Sequence, residues 1–199
     1  RIDRRLSLAR SLDMNEYVDR LRNQRDELDV LYRDLLIGVT RFFRDQKAFE
    51  LLEAEVLPEL LSAHSEAPLR VWVAGCATGE EPYSFAISIQ DLLHKPKLPE
   101  RQVKIFATDV HRGSLERAAR ALYDREAVAN VSAERLERYF VRVGDSYQVS
   151  ADLRQTIVFA AHDVIKDAPF TRMDLISCRN SDFAFQPPST RSKYRSSSS

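Results

Sequence analysis

Cysteine is scarce in this chain of 199 residues. Two residues, Cys76 and Cys178, cannot build the disulfide framework of a small secreted domain, and such sparing use suits a reducing cytosol. Net charge is lacking as well. Lys plus Arg and Asp plus Glu both number 30, so no global field recruits nucleic acid, and an electrostatic partner must be met by a local patch. The four histidines, His64, His94, His111 and His162, lie far apart without metal-ligand spacing, so no metal is expected. No secretory signal and no apolar run long enough to span a bilayer is visible, which makes the expected location cytoplasmic, without membrane insertion. The 44% hydrophobic content is enough for one sizeable domain, or a domain with a small helical appendage.

The most informative stretch is VWVAGCATGEEPY, residues 71 to 83. An apolar run breaks at Gly75 and Gly79, turns acidic at Glu80 and Glu81, and meets Pro82 where a helix can begin. Strand, glycine turn and helix N-terminus in that order make the nucleoside cradle of open α/β sheets. Carboxylates at that helix start argue against a phosphate guest and for a cationic or hydroxyl-rich one. Acids in the first turn of a helix are also favoured for their own sake, so this reading stays beside the functional one.

Residues 1 to 36 read as helix throughout, with Asp13 and Glu16 as a capping box and Tyr17, Leu21, Leu28, Leu31 and Leu35 on one face. Arg1, Arg4, Arg5 and Arg10 crowd the start, either as a solvated face or as a docking patch. Gly38 interrupts the pattern. In the following VTRFFRD, the rings of Phe42 and Phe43 should pack inward while Thr40 and at least one arginine point elsewhere. Asp45 then caps a helix whose buried stripe is Phe49, Leu52, Val56 and Leu60, kinked or ended at Pro58. Residues 64 to 68 read as a linker.

From Leu69 the chain alternates strands and helices. Strand 70–74, the glycine turn, and a helix buried through Tyr83, Phe85, Ala86, Ile87, Ile89, Leu92 and Leu93 lead to strand 103–107, which ends at Thr108 and Asp109. Ser114 caps a helix to about Tyr123, Ser132 caps another through Phe140, and 141–149 is a hairpin turning at Gly144 and Asp145. Strands 156–160 and 173–178 follow. Gly75, Asp109, Asp163 and Asn180 thus converge at strand carboxyl ends, the usual ligand edge of such sheets. Beyond Asn180 the sequence offers no further strand, so the C-terminal part of the sheet is expected to be missing. The expected organisation is a helical domain and connecting helix (1–63), an α/β domain (69–180) and an irregular tail (181–199).

Asp109 closes the second strand of the unit, where a carboxylate accepts hydrogen bonds from both hydroxyls of a ribose. The turn is not the Gly-x-Gly-x-x-Gly of a dinucleotide site, which disfavours a nicotinamide oxidoreductase. A sulfonium or amino group, as in S-adenosylmethionine, suits Glu80 and Glu81 better.

The segments VTRFFRD, VWVAGCATGEEPYS, FATDV and APFTRMDLISCRN, in this order, resemble the CheR-type chemotaxis receptor methyltransferases over residues 35 to 180. That resemblance implies a Rossmann-like S-adenosylmethionine methyltransferase domain preceded by a small all-helical domain, acting on glutamate side chains of chemoreceptors. DLLIGVTRFFRD looks most like family versions fused to other signalling domains. By position, the resemblance assigns Thr40 and Arg44 to the cofactor from the helical side. It lines the cradle with Ala74 and Gly75, places Glu81 at the amino-acid portion and Asp109 at the ribose, and puts Asp163 and Val164 beside the adenine. Asn180 closes the site. Arg44 is the candidate catalytic residue, positioning the incoming carboxylate, with a structural salt bridge as its alternative role. The partner implied is the helical cytoplasmic region of a chemoreceptor, met through Arg1, Arg4, Arg5 and Arg10. The short hairpin 141–149, with one glycine, is expected not to hold a receptor tail. Gly38 stands where a family member can present a side chain to the cofactor. Ala184 stands where the family has a tyrosine near the transferred methyl, so a cofactor-binding module without turnover is the alternative reading.

Overall fold

The chain's β-branched runs become a parallel sheet in the computed structural model, which describes residues 6, 8, 9, 11, 13–24, 26–28, 30, 31, 40–62, 67–95, 98, 99 and 101–178. Strands β1 (Leu69–Ala74), β2 (Val103–Asp109), β6 (Ile157–Ala161) and β7 (Leu175–Ser177) lie in the order β6-β2-β1-β7. All three pairings are parallel, with Val71 opposite both Ile105 and Leu175, and Ile105 opposite Ile157. Counting only these four strands, the order is 3-2-1-4, that of a Rossmann sheet with its switch point between β1 and β7.

Helix α4 (Glu80–Leu93) follows the glycine turn and is buried along most of its length, including Tyr83, Phe85, Ala86, Ile87, Ile89 and Leu92. It packs on β2 and β6, as an all-round apolar helix over a sheet must. Helix α5 (Arg112–Arg120) crosses back toward β2 and β6. A second sheet is inserted before β6. It has three antiparallel strands in the order β3-β5-β4, from β3 (Leu122–Tyr123), β4 (Phe140–Val143) and β5 (Ser146–Val149). The hairpin turns at Gly144 and Asp145 as expected.

Helix α1 (Met14–Asn23) is capped by Asp13, whose carboxylate accepts from the Glu16 N–H at 2.9 Å. The expectation of unbroken helix through residue 36 is corrected at Gln24, which is extended at φ −125° and ψ 96°. Tyr17 is fully buried, in a small cluster with Ala9 and Leu31 that is separate from the main core. Phe42, Phe43, Phe49, Leu57 and Leu61 instead join the main core with the sheet and the insert.

The helix after Asp45 departs instructively from its expected stripe. It runs as α2 (Gln46–Leu51), a π-helical stretch over Leu52–Val56, and α3 (Leu57–Ser62). Pro58 neither ends nor simply kinks it. Proline lacks the N–H that an α-helix would direct at residue 54, and its ring crowds that carbonyl. The wider turn, in which the Leu57 N–H reaches the Leu52 carbonyl, relieves the conflict. The extra residue rotates the stripe by one position. Leu57 and Leu61 are fully buried, whereas Val56 is 36% exposed.

Two further boundaries move. Helix α5 starts at a cap formed by His111 rather than Ser114, because the imidazole Nδ1 accepts from the Ser114 N–H at 3.0 Å. It ends at Arg120, since Ala121 takes a left-handed φ of 55° and frees Leu122 and Tyr123 to pair with β5. Helix α6 (Ala133–Tyr139) starts at Ser132 as expected. The short helix α7 (Ala151–Gln155) carries no strong sequence signal.

Candidate functional site

Because the four strands run parallel, their carboxyl ends share one edge, and the glycine turn lies there. Ala74 is buried at the end of β1, and Gly75 follows at φ 69°. The Cys76 N–H donates to the Thr108 carbonyl at 2.9 Å, pinning the turn to β2. Gly79, at φ 96°, is the N-cap of α4. A Cβ there would lie 2.8 Å from both Ala118 Cβ and the Tyr123 hydroxyl, so glycine is needed for conformation and for space.

Asp109 is buried at the end of β2. One carboxylate oxygen accepts from the Ala77 N–H at 2.8 Å and the other from the His111 N–H at 2.9 Å. The carboxylate therefore holds the turn itself. The Asp109 carbonyl accepts from the His162 N–H, which brings the segment carrying Asp163 and Val164 alongside. Asp163 is engaged within its own turn. It accepts from the Ile165 N–H at 3.0 Å and faces the Lys166 ammonium at 3.1 Å, and these two hold its carboxyl below the ordinary range. Val164 is exposed.

The two glutamates diverge. Glu81 lies half-buried at the switch point, and the Ser177 hydroxyl at the end of β7 donates to it at 2.5 Å. Glu80 is buried. The Thr78 hydroxyl lies 2.7 and 2.9 Å from its two oxygens, and Thr40 donates to it at 3.2 Å. Burial pushes the Glu80 carboxyl up, opposed by these hydroxyl bonds. Thr40 thus reaches the site through Glu80, a link no local pattern announces. Phe42 and Phe43 point inward as expected, while Arg41 and Arg44 are exposed. The Phe43 N–H donates to Ser84 Oγ at 3.0 Å, fastening this segment to α4. Burial, and then Asp109, push the Cys76 thiol far up, so it stays neutral and is no nucleophile.

Tyr123 joins the site although no sequence pattern points to it. Its hydroxyl, brought by β3, donates to the Thr78 carbonyl at 2.8 Å, and its ring meets Phe42 edge-on at 4.9 Å. Arg1, Arg4, Arg5, Arg10, Gly38, Asn180 and Ala184 lie outside the described residues.

A 3-2-1-4 parallel sheet with an acid-bearing glycine turn and a buried aspartate at the end of its second strand defines a Rossmann-like nucleoside-cofactor domain. A carboxylate such as Glu81 at the helix start fits a sulfonium and amino-acid group rather than a pyrophosphate. Residues 38–194 match the family described as CheR methyltransferase, SAM binding domain, a match that extends the resemblance beyond Asn180. The chain is 42% identical over 189 residues to an uncharacterized 104.1 kDa protein of Rhodobacter capsulatus, covering 94% of this chain and 20% of that one. It is 32% identical over 202 residues to chemotaxis protein methyltransferase 2 of Vibrio cholerae, covering 98% of this chain and 69% of that one. Against a Listeria innocua chemotaxis protein methyltransferase it is 33% identical over 169 residues, 85% of this chain and 62% of that one. The chain belongs to the CheR methyltransferase family, whose cofactor is S-adenosylmethionine. Among the described residues, no helix is long and apolar enough to cross a membrane.

Proposed function

We propose that this chain transfers a methyl group from S-adenosylmethionine to glutamate side-chain carboxylates of a chemoreceptor-like protein. The observation that carries the reading is the juxtaposition of the Gly75 to Gly79 turn, Glu81 and Asp109 at one sheet edge. In this reading Ala74 and Gly75 line the cradle, Asp109 accepts from the ribose and Glu81 faces the amino-acid portion. Asp163, Val164 and Asn180 complete the nucleoside side.

S-adenosylmethionine supplies an electrophilic methyl carbon. The substrate carboxylate has an ordinary pKa of about 4.3 and is ionised at neutral pH, so no general base is required. The protein's task is alignment and exclusion of water. Thr40 and Arg44 face the cofactor from the helical side, and Arg44, which is exposed, also orients the incoming carboxylate through its paired N–H donors. When bound, the cofactor would let a substrate carboxylate oxygen bond to its methyl carbon while the carbon–sulfur bond breaks with its electrons staying on sulfur. The products are a methyl ester and a neutral thioether. The partner is the helical cytoplasmic region of such a receptor, with Arg1, Arg4, Arg5 and Arg10 facing its acidic surface.

The test is calorimetric titration with S-adenosylmethionine and S-adenosylhomocysteine, followed by assay of base-labile methanol from a receptor cytoplasmic fragment. Binding with methanol release supports the reading. Binding without transfer favours a cofactor-binding module, a role consistent with the large Rhodobacter relative of which this chain covers only 20%. Absence of binding sinks both.

A further inference from the structure

We propose that Arg135, on the helix leading into the antiparallel insert, is a positioning residue that sets the segment carrying Thr40 and Arg44 against the cofactor turn. This rests on the reading that this segment faces the cofactor. The Arg135 guanidinium lies over the Phe43 ring at 4.6 Å from its centroid. Its Nε donates to Asp91 on α4 at 2.7 Å, and one terminal nitrogen donates to Glu53 in the π-helical turn at 2.7 Å. Glu53 also accepts from Ser88 of α4 at 2.5 Å, and Asp91 from the Tyr139 hydroxyl at 2.6 Å. One planar cation therefore joins three elements and roofs the ring next to Arg44.

The geometry gives Phe43 little choice. It holds a left-handed φ of 48°, a strained value for a bulky residue, and its N–H is committed to Ser84. Its ring is closed from another side by Phe49 at 5.2 Å. The insert grips the neighbouring residue too, since Phe42 packs on Tyr123 and Phe140 at 4.9 and 5.4 Å. The same Tyr123 bonds the cofactor turn at Thr78. The insert thus holds both walls of the site, and Arg135 is its polar contact with the Phe43 wall. Lysine cannot replace it, because only a guanidinium offers both the fork and the flat face.

The test is Arg135→Lys in the 199-residue chain, with Asp91→Asn as a control that weakens the network but leaves the cation over Phe43. Arg135→Lys should speed hydrogen exchange at the Phe43 amide about tenfold and weaken S-adenosylhomocysteine binding about fivefold to tenfold, as loss of a stacked, forked guanidinium implies. In the Arg44→Ala background the added loss of affinity should shrink to less than twofold, because both changes act through one segment. Asp91→Asn should lower the unfolding midpoint yet leave Phe43 exchange within twofold. Unchanged Phe43 exchange in Arg135→Lys, or effects that multiply fully with Arg44→Ala, would overturn the proposal. If the wild-type chain bound no cofactor, the parent reading would fail, while the exchange measurement would still decide whether Arg135 orders the segment.

Discussion

Replacing Gly79 by alanine tests the packing of the cofactor turn with a single methyl group. The new Cβ would stand 2.8 Å from Ala118 Cβ, 2.8 Å from the Tyr123 hydroxyl and 3.2 Å from Ala118 Cα. One of these neighbours is backbone, and the hydroxyl is held by the Thr78 carbonyl, so neither can swing aside freely. The residue must also keep φ near 96°. Left-handed backbone costs about 1–2 kcal/mol for a residue with a Cβ, and overpacking adds about 1–3 kcal/mol. Reduced freedom of the unfolded chain returns about 0.4–1 kcal/mol. The net is a destabilisation of about 1–5 kcal/mol, or a fall in melting temperature of roughly 2–18 °C for a chain of this size. Gly144→Ala is the matched control. Its φ is 60° and nothing lies within 4 Å, so it carries the backbone cost alone. Thermal and urea unfolding of both variants isolates the steric part. Equal losses in the two would refute the packed turn.

Three further outcomes follow from the same residues. Tyr123→Phe keeps the ring stack on Phe42 but leaves the Thr78 carbonyl without its donor, and should cost about 1–2 kcal/mol by urea unfolding. Glu80→Gln should alter the pH dependence of stability. The folded pKa of Glu80 is raised above its unfolded value by burial, so the wild type loses stability as pH rises from about 4.3 through that raised value. The variant's unfolding midpoint should therefore gain on the wild type between pH 4 and pH 8; a constant gap would show that burial does not penalise this carboxylate. Pro58→Ala restores an N–H donor and should allow α-helical spacing. Lower urea stability in that variant is expected, because regular helix would turn Leu57 and Leu61 away from the core.

Legibility in the sequence followed the range of the interactions. Strands β1, β2, β6 and β7 are short β-branched runs that announce themselves, and the carboxyl-end residues could be ordered from them alone. The hairpin at Gly144 and the caps at Asp13 and Ser132 are local chemistry and were equally readable. What escaped was settled by competition between neighbours. Pro58 forces a π-turn two residues upstream and rotates a stripe, while His111 displaces Ser114 as a cap because its ring nitrogen accepts the same N–H. Ala121 ends a helix without being glycine, since Leu122 and Tyr123 gain strand partners. In the site, the turn, the Glu80 and Glu81 pair and Asp109 stand out from spacing, whereas the choice of Glu81 over Glu80 rests on the family resemblance. Tyr123, Ser177 and Arg135 do not stand out, because each reaches the turn or its flanking segment from an element remote in the chain.

The most direct measurement is calorimetric titration of the chain and its Asp109→Ala variant with S-adenosylhomocysteine, with circular dichroism confirming that the variant stays folded. The predicted result is saturable one-to-one binding by the wild type and loss of affinity of at least about a hundredfold in the variant, the combined effect of lost ribose bonds and a loosened turn. Equal affinity in the two proteins would contradict the assignment of the turn and the β2 end as the cofactor site.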